Sequence, residues 1–181
     1  MTLLSAKLNA VKPSPTIAIT RTAAELRRRG EDVIGLSQGE PDFDTPEHVK
    51  TAAKAAIDAG ATKYTDVDGT PELKAAVAAK FRRENGLDYA IDEIAVANGA
   101  KQIIFNALMA TLEAGDEAIL PAPYFVSYPE MVKLFGGVPV TPACPAENGF
   151  RLTPVVLEAA LTEKTRWPFL NMPGNPSGAG Y

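Results

Sequence analysis

Apolar residues recur at two periods along this chain, and the alternation between them predicts its elements. Helical spacing covers residues 17–29, then a face of Val49, Ala52, Ala53, Ala56 and Ile57 opened by Thr45 and Pro46. A third helix presents Leu73, Ala76, Val77 and Phe81, and a fourth carries Ile103, Ile104, Phe105, Leu108, Met109 and Leu112. A fifth runs through Met131 and Leu134, and a sixth runs from Thr153 to about Leu161. Short β-branched or apolar runs at 32–36, 94–96, 117–120, 138–141 and 166–170 read as strands. Glycine closes most helices, at Gly30, Gly60, Gly86 and Gly137. Strands alternating with helices predict an α/β fold: three layers, α/β/α, around a mainly parallel sheet.

The centre of the pattern is 93–112, EIAVANGAKQIIFNALMATL: a strand, an Asn98-Gly99 turn, then a helix apolar nearly all round. Such a helix is expected to be buried, with its first turn, Gly99-Ala100-Lys101-Gln102, pointing into the protein. Free amide groups and the positive end of the dipole make that turn a candidate anion site. Neither a P-loop nor a GxGxxG fingerprint stands there, so the residues alone favour a plain strand-to-helix turn. In a parallel sheet, ligands collect at the carboxyl ends of the strands, where Gly99, Tyr124 and Asn175 are expected together.

Between the periodic segments lie polar runs that cannot continue as regular structure. Residues 1–15 read as an arm, stiffened by Lys12-Pro13-Ser14-Pro15, and Thr16 can cap the helix that follows. Ser37 to Pro46 holds two prolines, a glycine and three acids, and the chain's one boundary is expected near 35–45. Further loops are Lys63 to Pro71, the proline-spaced aromatic turn Pro121 to Tyr128, and Asn171 to Gly178.

Composition narrows the chemistry. At 181 residues, 46% hydrophobic and 22% charged, the chain can bury one domain-sized core. A net charge of −4 and a pI near 5.1 argue against a nucleic-acid partner. One cysteine, Cys144, allows no internal disulfide, and one histidine, His48, leaves little for a metal site or a histidine-based triad. His48 is expected exposed at the start of a helix. No signal-peptide core or membrane-length apolar run is present, so a soluble, cytoplasmic protein without membrane partners is expected.

Five motifs in order carry a family resemblance. Gly39-Glu40-Pro41-Asp42-Phe43-Asp44-Thr45-Pro46, Lys63-Tyr64-Thr65 with Gly69, Gly99-Ala100-Lys101-Gln102, the Pro123-Tyr124 to Tyr128 turn, and Asn175-Pro176-Ser177-Gly178 resemble the motifs of fold-type I, class I aminotransferases, which use pyridoxal phosphate. The likeness is strongest to bacterial aspartate aminotransferases of the subgroup that includes prephenate aminotransferases, and it covers all 181 residues. It implies residues 1–40 as an N-terminal arm and part of a small domain, and 41–181 as the N-terminal portion of the large cofactor-binding domain.

The resemblance also implies roles. Gly99, Ala100 and Lys101 hold the cofactor phosphate, Tyr64 reaches the phosphate of a neighbouring subunit's cofactor in a homodimer with shared sites, and Asn175 donates to the ring oxygen and borders the substrate. Gly39 offers its N–H to the substrate's α-carboxylate, and Thr16, Lys101 and Lys12 serve the distal carboxylate of a dicarboxylic substrate. Without the family, Thr16 reads as a helix cap and Lys12 as a solvated charge. Phe125 stands where the family usually has a tryptophan stacked on the pyridine ring; a phenylalanine stacks with less area and no N–H.

The implied activity passes the amino group of aspartate to 2-oxoglutarate. Prephenate or aromatic amino acids are the alternative substrates, and an effector-binding domain of a regulator is the alternative class. The family's Schiff-base lysine follows the Asn-Pro-Ser-Gly motif, so no catalytic residue is expected within the chain and that lysine is expected beyond Tyr181.

Overall fold

The computed structural model describes residues 3–37 and 39–180. Met1 and Thr2 of the predicted arm, Gln38 of the acidic loop and the terminal Tyr181 lie outside the described residues. Two compact units emerge, one made of Met1–Gln38 with Phe105–Tyr181, the other of Gly39–Ile104.

The first unit holds a three-stranded sheet. β1 (Glu117–Ile119) lies between β2 (Val138–Val140) and β3 (Thr165–Pro168), and both neighbours run parallel to it. The β1 edge continues beyond its named bounds: Leu120 N–H donates to Val140 O at 2.8 Å and Ala122 N–H to Pro142 O at 2.9 Å. Parallel strands need a crossover. Helix α5 (Ser127–Leu134) carries the chain from β1 to β2, and α6 (Pro154–Ala160) carries it from β2 across to β3. Thr153 caps α6, its hydroxyl accepting the Val156 N–H. Ala118, Ile119 and Leu120 are wholly buried, as is Val132 on α5, so the core sits on the central strand.

The N-terminal segment of this unit holds a single-turn helix, Ala6–Ala10, and α1 (Pro15–Arg28). Thr16 is not the cap of α1. The helix starts at Pro15, whose ring fixes φ and has no N–H to satisfy, and Ser14 takes the cap position. The run 32–36 is not a strand either. Ile34 and Leu36 are exposed, and the Arg27 side chain, at 3.0 Å, takes the Val33 carbonyl that a ladder would have used.

The second unit contains α2 (Glu47–Asp58), α3 (Pro71–Lys80) with a wider turn at Phe81–Asn85, and the start of α4 (Ala100–Thr111). His48 is exposed in the first turn of α2. Residues 94–96 are extended but form no strand. Ile94 is buried and has sheet-like dihedrals, yet besides the local turn bond from Ile94 N–H to Ile91 O at 3.3 Å the segment reaches another stretch of backbone through Val96 N–H to Asp68 O at 2.8 Å. One bond makes no ladder.

That junction is tight. Gly69 has φ +106°, and a Cβ there would stand 2.9 Å from the Val96 side chain, so the residue must be glycine on both counts. Beside it the buried Lys74 ammonium meets Asp68 at 2.5 Å. The hydrogen bond from Lys74 leads the causes that hold the Asp68 carboxyl below its ordinary value. A carboxyl depressed in the fold adds stability above its unfolded pKa, and that stability is lost as pH falls through the lower folded value. Asp68→Asn is therefore expected to lose stability at neutral pH and to show a shallower acid decline than the parent; parallel acid-unfolding curves would exclude the role.

Helix α4 corrects the expectation of a buried rod. Leu108 is wholly buried and Leu112 nearly so, while Ile103 is 38% and Met109 59% exposed. Phe105 meets Phe135 edge-on at 4.9 Å, and Thr111 accepts from Trp167 Nε1 at 2.9 Å. The apolar stripe that is best covered runs through 105, 108 and 112, while Met109 on another face stays largely exposed.

Candidate functional site

In an open α/β sheet, a cleft forms outside the carboxyl ends of strands whose connections leave in opposite directions. Here the chain leaves β1 for β2 on one side and returns to β3 on the other, so the cleft falls between the ends of β1 and β3. A pocket opens there. Leu120, Pro121 and Tyr124 follow β1, Phe169 and Asn171 follow β3, and Asn175 closes the far wall. The hollow is open to solvent, and its cavity volume is about 50 Å³.

Four aromatic rings form a row along this site. Phe125 meets Tyr128 edge-on at 5.6 Å, Tyr128 meets Phe169 at 5.2 Å, and Phe169 meets Trp167 at 5.9 Å. Phe169 follows β3 directly, its N–H still bonded to Ile119 O at 2.9 Å, and stands two residues beyond Trp167, so the extended backbone turns both rings to one face. Burial pushes the Tyr128 hydroxyl above its ordinary value, which keeps it a neutral donor. Burial does the same to the Cys144 thiol, which is 2% exposed and thus inert as a nucleophile.

The loop bearing Asn175 is held by its own hydrogen bonds. Asn175 N–H donates to Asn171 Oδ1 at 3.0 Å, Gly174 N–H to Ala179 O at 2.8 Å, and Ala179 N–H to Ser177 Oγ at 3.2 Å. Backbone groups that would otherwise need partners are thus satisfied within the loop, and the Asn175 position is fixed against the pocket. Arg151 also lines the pocket, its Nε donating to Gly180 O at 2.9 Å. Next to it Phe150 has φ +57°, an uncommon conformation for a bulky residue, and it too borders the pocket.

The remaining predicted residues fall as follows. In the first unit, Phe125 touches the pocket through Tyr128, and Thr16 is half-buried on α1, where its carbonyl accepts from Thr20 Oγ1 at 2.9 Å. Thr20 Oγ1 also lies 2.9 Å from Ser37 Oγ, joining α1 to the segment after it. Lys12 is exposed, with its main-chain N–H on Glu130 Oε2 at 2.7 Å. In the second unit, Gly99 has φ +86° and turns the chain into α4, so that Ala100 and Lys101 open the helix on an exposed surface. A Cβ on Gly39 would meet nothing within 4 Å, and Tyr64 is fully exposed on its loop.

Phe169, Phe150 and Arg151 are pocket residues that the sequence pattern did not single out. Alternating aromatics in Trp167-Pro168-Phe169 signal one shared face and could have found the first. Asn148-Gly149 signals the turn before Phe150, whereas nothing in the sequence marks Arg151. Among the described residues no cluster of metal-ligating side chains occurs, and no helix is long and apolar enough to cross a membrane.

Comparison with known proteins gives a consistent result. Residues 31–181 match the family model for aminotransferase class I and II. An aspartate/prephenate aminotransferase of Cereibacter sphaeroides is 60% identical over 181 residues, which is 100% of this chain and 45% of that protein. An aspartate aminotransferase of Rhizobium meliloti is 56% identical over 98% of this chain and 43% of its own length. Among solved structures, the aspartate aminotransferase from Rhizobium meliloti matches with a TM-score of 0.96 and 55% identity, covering 100% of this chain and 45% of that one. The aspartate aminotransferase from Thermus thermophilus with maleate matches with 0.93 and 49%, covering 97% and 46%. The chain therefore spans a little under half the length of these relatives.

Proposed function

The chain belongs to the class I and II aminotransferases, and we propose that it serves as the N-terminal part of an enzyme moving the α-amino group of aspartate, or another dicarboxylic amino acid, to 2-oxoglutarate through pyridoxal phosphate. The observation that carries this reading is 60% identity along the whole chain with an aspartate/prephenate aminotransferase. The maleate in the name of the Thermus thermophilus structure is a dicarboxylate, which supports the substrate class. Prephenate is the second acceptor to consider, because it stands beside aspartate in the name of the Cereibacter sphaeroides relative.

Pyridoxal phosphate, when bound, supplies an aldehyde that exchanges amino groups and a ring that takes up electrons released at the substrate's Cα. The chemistry of residues in each unit supports that reading, and each would contribute to holding the group. Gly99 turns the chain so that the amides of Ala100 and Lys101 open a helix of 12 residues, a setting that favours a phosphate dianion. Asn175, which lines the pocket, would donate to the ring oxygen, and Phe125, which meets Tyr128 edge-on, would offer aromatic surface for the ring. Gly39 would turn its N–H to the α-carboxylate, while Thr16, Lys12 and Lys101 would meet the distal one; Tyr64, fully exposed, would reach the cofactor of a second subunit in a homodimer. A cytoplasmic setting completes the proposal.

The test is substrate choice. A complete protein carrying these residues, purified with its cofactor and offered aspartate, prephenate with an amino donor, and a cysteine conjugate, is expected to transaminate aspartate fastest. Cleavage of the conjugate without amino transfer would assign it to lyases instead.

A further inference from the structure

Helix α5 serves two places at once. Tyr128 in its first turn lines the pocket, and Glu130, about 3 Å farther along the axis and roughly 200° around it, grips the arm. The Glu130 carboxylate accepts Lys12 N–H on Oε2 at 2.7 Å and Lys133 Nζ on Oε1 at 2.9 Å. Its side chain is 21% exposed and that of Lys133 33%, so the pair is partly withdrawn from water. α5 also packs against the turn Ala6–Ala10.

We infer that Glu130 is a positioning residue for substrate choice: by holding the main chain of Lys12 against α5 it fixes where the Lys12 ammonium can meet the distal group of a substrate. The inference rests on the reading of Lys12 as a contact for the distal carboxylate.

Apart from its turn against α5, the described part of the arm is largely in solvent. Residues 3–10 are all exposed, so few apolar contacts oppose their motion. Lys12 is followed by Pro13 and, two residues later, Pro15, whose rings fix φ, so anchoring one N–H sets the direction of the chain on both sides of it. A hydrogen bond from a main-chain N–H to a carboxylate is roughly twice as strong as a neutral one, and Lys133 restrains the second oxygen. Burial opposes the charged form of Glu130, but the hydrogen bonds and charges of Lys133 and Lys12 outweigh it and hold the carboxyl below its ordinary value. At neutral pH the group is thus purely an acceptor.

In a complete enzyme with cofactor bound, E130A is expected to raise KM for aspartate and Ki for maleate about tenfold, with kcat and the affinity for pyridoxal phosphate unchanged. Such a split separates loss of Lys12 placement from a folding defect, which would also lower kcat or cofactor retention. E130Q keeps a carbonyl oxygen for the Lys12 N–H and is expected to restore most of the loss, while K133M, which frees the second oxygen but leaves the Lys12 bond, is expected to raise KM by less than E130A. K12A is expected to reproduce E130A, and the double variant to be no worse than K12A. A K12A enzyme that binds both ligands normally, or an enzyme inactive on aspartate, overturns the reading of Lys12 and this inference together. A responsive K12A beside an unaffected E130A, or an E130A that lowers kcat and cofactor affinity alike, overturns the inference alone.

Discussion

A polypeptide of residues 1–181, supplied with pyridoxal phosphate, aspartate and 2-oxoglutarate, is expected to form no oxaloacetate above a protein-free control. Amino transfer needs an amine that can bond to the cofactor and then carry a proton at the substrate's Cα. Among the described residues lining the pocket at the ends of β1 and β3 there is no lysine; Arg151 stands there, and a guanidinium does not serve as the amine that bonds to an aldehyde. The buried Lys74 is committed to Asp68, and Lys101 is given to the cofactor phosphate and the distal carboxylate in the proposed function. Loss of a positioned acid–base group alone removes about 10² to 10⁴ in rate, and loss of the covalent partner removes more. An assay that follows oxaloacetate with the chain at micromolar concentration reads this directly. Turnover above the control would mean that a lysine among these residues serves the chemistry, and the functional assignment of the pocket would have to be redrawn around it.

Much of the architecture was legible because it depends on local rules. Three of the five predicted strands and all six helices stand close to where periodicity put them, since Gly115, Gly136, Thr153 and the prolines at 71 and 154 mark their ends by local chemistry alone. The failures at 32–36 and 94–96 have one cause. An extended apolar run becomes a strand only when a neighbour offers a ladder, and pairing is a tertiary fact that composition does not encode. The exposed side of α4 has a related origin: a helix apolar all round announces that it can be buried, and not which of its faces is met.

The site divides the same way. Of the three residues expected together, Tyr124 and Asn175 line the pocket, in motifs whose prolines and glycines announce turns after strands, whereas Gly99 belongs to the other unit and is not among the lining residues. Glu130 and Arg151 carried no such mark. One is a charge on an amphipathic helix, the other a charge in a loop, and each acquires a role only from a residue far away in sequence, Lys12 or Gly180. Thr16 shows the converse, since a residue well suited to capping was displaced by Pro15, one position earlier and better suited to begin a helix.

Leu120→Ala is expected to destabilise the protein by about 3 kcal/mol, within the range of about 2 to 5 for emptying a buried leucine site. Leu120 is wholly buried, its N–H bonds Val140 O at 2.8 Å, and its side chain forms part of the pocket wall. Strand backbones on both sides of it are paired, so the surroundings have little freedom to collapse into the space and the cost is expected near the middle of that range. Val155→Ala on α6, where the side chain is 75% exposed, removes a comparable amount of hydrocarbon from a site already facing water and is expected within about 0.5 kcal/mol of the parent. Urea midpoints at equal slope separate the two. If both variants unfold at the same concentration, the core is not centred on the end of β1. The pocket would then lack a rigid wall, and the placement of Asn175 opposite it would carry no weight for ligand binding.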